Sequence, residues 1–177
     1  ALTRFDCMLG SAGLMRAALA QALHHSAGRS AFGKKLQQHA LMQNVLADLT
    51  LDSEAALALS LRVAYALDNQ AVVSEQQFVR LATAIGKYWI CKRAPQFCYE
   101  AMECLGGVGY VEESILPRLY REAPVNAIWE GSGNIQCLDV LRAMQKEPAA
   151  LAACLSELQA ATGHSDEYDA AFARLQQ

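Results

Sequence analysis

Residues 74–109 read SEQQFVRLATAIGKYWICKRAPQFCYEAMECLGGVG, and this stretch decides the fold. Ser74 with Gln77 three residues later is the pairing of a capping box, which predicts a long helix from about Glu75 to Leu105. Pro95 lies inside it, where an irregularity is expected, and the run Gly106, Gly107, Val108, Gly109 must end it. Toward the N-terminus, a first helix is predicted from about Phe5 to Ala27, with Leu9, Met15, Leu19 and Leu23 at helical spacing and Gly28 as terminator. A short loop around Arg29–Gly33 follows. From about Leu36 to Leu67 the pattern is apolar on more than one side, at Leu41, Val45, Leu46, Leu49, Leu57, Leu59, Leu61 and Val63, which predicts a central place for this helix. Toward the C-terminus a short helix is expected around Ile115–Arg121, then a loop at Pro124, a glycine-rich entry, and a fourth main helix over Asn134–Met144. The expected fold is all-α: an up-down four-helix bundle over residues 1–147, with residues 148–177 as a short helical C-terminal tail.

Composition narrows the function classes. The 177 residues are 53% hydrophobic and 19% charged, enough for one substantial core. No eighteen-residue stretch is free of charged and polar breaks, and no secretory pattern opens the chain, so a soluble, cytoplasmic protein is expected. Cys7, Cys91, Cys98, Cys104, Cys137 and Cys154 include no CxxC pair, and they are scattered through helical segments as buried free thiols would be. His24 and His25 are neighbours, pointing about 100° apart on a helix, so no metal site is expected. The net charge of −3 falls unevenly: residues 1–144 balance, whereas 145–177 hold five acids against Lys146 and Arg174. Neither part has the basic surplus of a nucleic-acid binder, and Lys87, Lys92 and Arg93 read as a solvated helix face.

The chemically unusual segment is residues 121–136, REAPVNAIWEGSGNIQ. Glu130 follows Ile128 and Trp129 and precedes a turn, so partial desolvation is expected, an environment in which a carboxyl can both accept and release a proton. Gly131 and Gly133 would let the backbone approach a ligand and aim N–H groups at an anionic or carbonyl oxygen. Local chemistry by itself favours the simpler reading, a Glu that serves only the dipole of the following helix.

Four boxes in order alter that balance. Residues 129–132, WEGS, look like an aromatic-Glu-Gly-Thr/Ser box; residues 29–34, RSAFGK, like an Arg-x-x-Phe-Gly segment followed by LADL at 46–49; residues 103–109, ECLGGVG, like a Gln-x-x-Gly-Gly-x-Gly turn; and Thr3 and Arg4 open the series. Together they resemble the C-terminal helical domain of the acyl-CoA dehydrogenase family. Glu103, Asn134 and Ala40 stand where most members have Gln, and these departures, with Trp129, point to the AidB-like, adaptive alkylation-response branch. The resemblance implies an FAD-dependent oxidoreductase in which Glu130 takes the α-proton of an acyl-CoA thioester while the β-hydrogen leaves as hydride to the flavin. It implies Arg4 beside the catalytic carboxylate, Arg29 on the FAD pyrophosphate of a neighbouring subunit, Phe32 by the adenine, and Gly107, Gly131, Ser132 and Asn134 as further FAD contacts. One branch carries its base at the position matching Thr3, which cannot do that work. Glu103, a carboxylate near a phosphate, is a weaker cofactor ligand than Arg29 unless turned away. Implied partners are an electron-transfer flavoprotein or other acceptor and further copies in a homodimer or homotetramer. Whole members carry additional domains that cover the flavin, so this chain by itself is expected to bind FAD poorly and to be inactive. Two other classes stay open: a flavoprotein of alkylation response acting through DNA in its full-length form, and a non-catalytic oligomerisation bundle.

Overall fold

The first helix buries Met8, Ala12, Met15, Leu19 and Ala22, a row three to four residues apart that forms one face of α1 (Leu2–Gly28). The computed structural model describes residues 2–176, and within them α1 is followed by β1 (Ser30–Ala31), β2 (Lys34–Lys35), a 3-10 turn at Leu36–Gln38, and α2 (Ala40–Asp68). Then come α3 (Val73–Leu105), α4 (Gly107–Tyr110), α5 (Leu116–Ile128), α6 (Gly133–Lys146), α7 (Pro148–Gln159) and α8 (Asp166–Leu175). The long helices α1, α2 and α3 pack on one another through short connections, and α5 and α6 pack on α3 to complete the bundle. The all-α bundle is thus as expected, with its fourth position shared by two shorter helices.

The centre is α3, not α2. Sixteen residues of α3 are buried and they run around the whole helix, from Phe78 and Leu81 to Ile90, Phe97 and Cys104. Gly86 allows the approach of α1, since a Cβ there would lie 2.7 Å from Met8 Sδ. In α2 the buried row is Leu46, Leu49, Ser53, Ala56, Ser60 and Val63, and its middle is small side chains. Small residues bring α2 close to its neighbours, and Leu51, Leu57, Leu61 and Tyr65 are left outside. The apolar excess on α2 therefore marks a second, uncovered face and not a central position. Likewise Leu9 and Leu23 sit at the half-exposed margin of α1, whereas Met15 and Leu19 are in the core.

Three local expectations are corrected. The α3 N-cap is Val72 without a side-chain cap, so Ser74 lies inside the first turn and no capping box forms. Helix α5 runs through Pro124 to Ile128, where a loop was expected. A proline costs one backbone hydrogen bond, and burial of Ala123 and Asn126 on either side of it holds the helix together regardless. The Arg29–Gly33 loop is the tip of a β-hairpin, with Ala31 paired to Lys34 across a two-residue turn in which Phe32 and Gly33 both have positive φ, 53° and 84°. Pro95 leaves α3 unbroken.

Candidate active site

Glu130 occupies the two-helix corner where α5 ends and α6 begins, at φ 57°, a left-handed conformation that costs a non-glycine residue on the order of 1–3 kcal/mol. Gly131 follows at φ 102°, and a Cβ there would lie 2.7 Å from Gln136 Nε2, so only glycine fits. The strain persists because the corner is clamped through its carbonyls. Lys87 Nζ donates to the carbonyls of Trp129 (2.9 Å) and Gly131 (2.7 Å), on either side of Glu130. Gln136 Nε2 donates to the carbonyls of Glu130 (3.2 Å) and Gly131 (2.9 Å), and Arg4 Nε donates to that of Glu130 (3.2 Å). Trp129 is fixed by its indole N–H on Asn126 Oδ1 at 3.1 Å.

The Glu130 carboxylate points into a cleft of about 260 Å³ lined by Thr3, Asp6, Cys7, Asn126 and Trp129. Thr3 Oγ1 donates to Glu130 Oε2 at 2.8 Å. The side chain is exposed, as are Ile128 and Trp129, so the expected desolvation is not achieved within this chain: Trp129 lines the cleft, Ile128 does not, and the cleft is open. Arg4 touches the Glu130 main chain and not its carboxylate. Its guanidinium pairs with Asp139 of α6 at 2.5 Å, and Arg80 joins the same carboxylate at 3.1 Å. Burial by itself would push the Asp139 carboxyl up, but hydrogen bonds from Arg4 and Arg80 outweigh it and hold the group below the ordinary carboxylate range.

Lys87 corrects the sequence reading most sharply. It is 1% exposed, within the bundle, and not on a solvated face. Burial pushes its ammonium below the ordinary lysine value, opposed by Cys91, Cys7 and Glu130. The sequence reading set Thr3 aside as a base without foreseeing its hydrogen bond to Glu130, and it did not single out Gln136. Gln136 is fully buried, a rare place for an amide in the first turn of an amphipathic helix, and it was legible only through its position in the motif.

The residues proposed for a cofactor fall in two places. Ser132 caps α6 at its N-terminus but makes no capping hydrogen bond, and Gly133, Asn134 and Ile135 open the helix with N–H groups free of helical partners. Ser132 and Asn134 are exposed, and Gly131 is half-buried. Arg29, Phe32 and Gly107 are elsewhere. Thr3 and Arg29 stand near opposite ends of α1, about 40 Å apart at a rise of about 1.5 Å per residue. Phe32 is 93% exposed, with the His39 ring edge-on to it. The exposed Arg29 guanidinium makes no ion pair among the described residues. Gly107 lies exposed just past the end of α3, and the adjacent Glu103 carboxylate is engaged by Tyr99 OH at 3.0 Å. At one end of α1 an unpaired guanidinium and an outward aromatic, and at the other a helix N-terminus with free donors, each suit a ligand with phosphates and a flat ring system such as FAD, but they lie too far apart to hold the same molecule.

Comparison with known proteins shows the family. The profile of the acyl-CoA dehydrogenase C-terminal domain matches residues 1–145. The chain is 51% identical over 177 residues to the putative acyl-CoA dehydrogenase AidB of Escherichia coli (strain K12), covering 99% of this chain and 32% of that protein. The crystal structure of Caenorhabditis elegans ACDH-11 in complex with C11-CoA superposes with TM-score 0.88 at 30% identity, over 98% of this chain and 32% of the other. Butyryl-CoA dehydrogenase from Megasphaera elsdenii superposes with TM-score 0.73 at 29% identity, over 81% of this chain and 36% of its own. The chain spans about a third of each of these proteins.

Proposed function

Because this chain belongs to the acyl-CoA dehydrogenase family, as its C-terminal helical domain, we propose that the whole protein dehydrogenates an acyl-CoA thioester at Cα–Cβ with Glu130 as the base. The observation that carries the reading is the clamped corner: a carboxylate on strained backbone, fixed by donors on the carbonyls of residues 129, 130 and 131, facing an open cleft. Thr3 occupies Oε2, which leaves Oε1 to take the α-proton. The Glu130 backbone N–H is the donor for the thioester carbonyl, where charge develops as the α-proton leaves. Rigidity matters because a proton is transferred only when donor and acceptor are held in line. Arg4 is a positioning residue in this scheme, holding the Glu130 main chain while Asp139 holds Arg4.

FAD, when bound, supplies the acceptor for the β-hydrogen as hydride. Gly131, Ser132 and Asn134 would hold the cofactor near Glu130. Arg29 and Phe32, at the far end of α1, would hold the cofactor of a neighbouring copy, with Gly107 offering backbone to FAD, which is why a homodimer or homotetramer belongs to the proposal. The acyl chain, and an electron-transfer flavoprotein or another acceptor as electron partner, are assigned to the whole protein. The C11-CoA bound to the nematode relative makes a medium-to-long acyl thioester the first substrate to try.

Residues 1–147 form the bundle in this reading and 148–177 begin a C-terminal extension. In support, structural coverage is 98% for the nematode relative and 81% for butyryl-CoA dehydrogenase, a gap close to the length of that extension. The extension is acidic, which disfavours DNA contact through it. Among the described residues no helix is long and apolar enough to cross a membrane, in keeping with a cytoplasmic enzyme.

The test is anaerobic flavin bleaching of the full-length protein with acyl-CoA thioesters of graded length. Wild type should bleach with at least one, and Glu130→Gln should slow it at least about a hundredfold, the scale of general-base loss. Absence of bleaching with every thioester would reject the catalytic reading and leave the DNA-associated and purely structural alternatives to be tried.

A further inference from the structure

The buried lysine at the middle of α3 has a role that the family assignment does not specify. We infer that Lys87 is the positioning residue of the Glu130 corner: its side chain pins the backbone on both sides of the base and fixes the direction in which the carboxylate leaves the main chain. The inference rests on the proposed role of Glu130 and adds to it the device that keeps that residue in place.

Three observations carry it. Lys87 is 1% exposed, and burying an ammonium is costly unless it is hydrogen-bonded. Its hydrogen bonds go to neutral carbonyls, those of Trp129 and Gly131, while the acidic Glu130 side chain between them turns away toward Thr3. A lysine kept only for charge balance would pair with a carboxylate; one that bridges the carbonyls of residues i−1 and i+1 fixes the backbone of residue i. Finally, Glu130 has positive φ, a conformation that in a non-glycine residue relaxes unless surrounding contacts over-determine it. Gln136 reaches the same corner from α6, but only from its own element; Lys87 ties the corner to the central helix. The ionisable groups around the ammonium are Arg4 and Cys7 from α1, Cys91 from α3 and Glu130 itself.

The corner's dependence on Lys87 is checked in the full-length flavoprotein with Lys87→Met, which keeps the length and removes the donor, and Lys87→Gln, which keeps a shorter neutral donor. Two readouts are taken: hydrogen exchange of peptides spanning residues 125–137, and the limiting rate and half-saturating thioester concentration of flavin bleaching. Lys87→Met is expected to speed exchange in that segment and not across the rest of α3. It should lower the limiting rate about tenfold or more, on the scale of a misplaced reacting group, with half-saturation and FAD content nearly unchanged. Lys87→Gln should fall between Met and wild type. Wild-type exchange and rates in both variants would overturn the inference, as would a loss spread evenly over rate, half-saturation and FAD content. If Lys87→Met does not fold, Lys87→Gln decides on the same two readouts. If no thioester bleaches the wild-type flavin, the catalytic proposal fails by itself, and the exchange data still decide whether Lys87 holds the corner.

Discussion

At Asp139 two arginines converge, Arg4 from the helix that carries Thr3 and Arg80 from the central helix, and this junction ties the Glu130 corner to the bundle. The folded state holds the Asp139 carboxyl below its ordinary value, so its contribution is full above the unfolded-state value near 4 and is lost as pH falls through the lower folded one. Asp139→Asn should therefore cost about 1–2 kcal/mol at neutral pH, a figure discounted for the partial exposure of both arginines. In urea titrations from pH 7 to pH 3 the gap to wild type should shrink on acidification; a gap that stays constant would remove the ion pairs as its cause. Glu130 was visible in the sequence because motif, glycines and flanking apolar residues all point at one residue. Lys87 was not, because it lies 43 residues before Glu130 and a lysine on a helix is solvated unless something distant covers it. What covers it is the α5–α6 corner, a tertiary contact.

On the scale of elements, the tail helix α7 is fastened on the N-terminal part of α3, where Cys154 Sγ lies on the Phe78 carbonyl. Cys154 and Ala150 are buried there, and Arg62 of α2 bonds both Glu75 at the start of α3 and Glu157 of α7 while lying 4.1 Å from the centroid of the Phe78 ring. Two of the five acids of residues 145–177, Glu147 and Glu157, are spent on Arg80 and Arg62 within the molecule. Arg62→Ala should release α7 at a cost of about 1–2 kcal/mol, allowing for the half-exposed Glu157. Limited proteolysis should then cut between residues 147 and 160 several-fold faster than in wild type, and an unchanged cleavage rate would show that apolar packing alone fastens the helix. Helix boundaries near Gly28, Leu105 and Gly133 were legible because glycine ends or opens helices by local sterics. The course of α5 through Pro124 was not, since packing of its neighbours overrides a local preference of a few kcal/mol.

The whole molecule leaves much apolar surface uncovered. Leu51, Leu57, Leu61 and Tyr65 fall within an arc of about 120° on α2, taking about 100° per residue, and Ile135, Leu138 and Leu141 lie on the outer side of α6. Patches of this kind mark contact surfaces or drive association. The isolated chain should self-associate with rising concentration in sedimentation experiments, and Leu51→Glu with Leu61→Glu should return it toward monomer; a monomeric wild type would exclude α2 as an association face. This surface also explains why the sequence pointed to α2 as the core: periodicity counts apolar faces, and it cannot tell one that packs inward from one that packs on another molecule. The sequence by itself determined the helical class, the order of the long helices and the location of the Glu130 motif, because these depend on spacing and on glycine and proline sterics within a few residues. Only the tertiary structure decided which helix is central, that Lys87 is buried, and that Arg29 and Glu130 lie at opposite ends of α1, because each of these depends on how elements far apart in the chain come to share one volume.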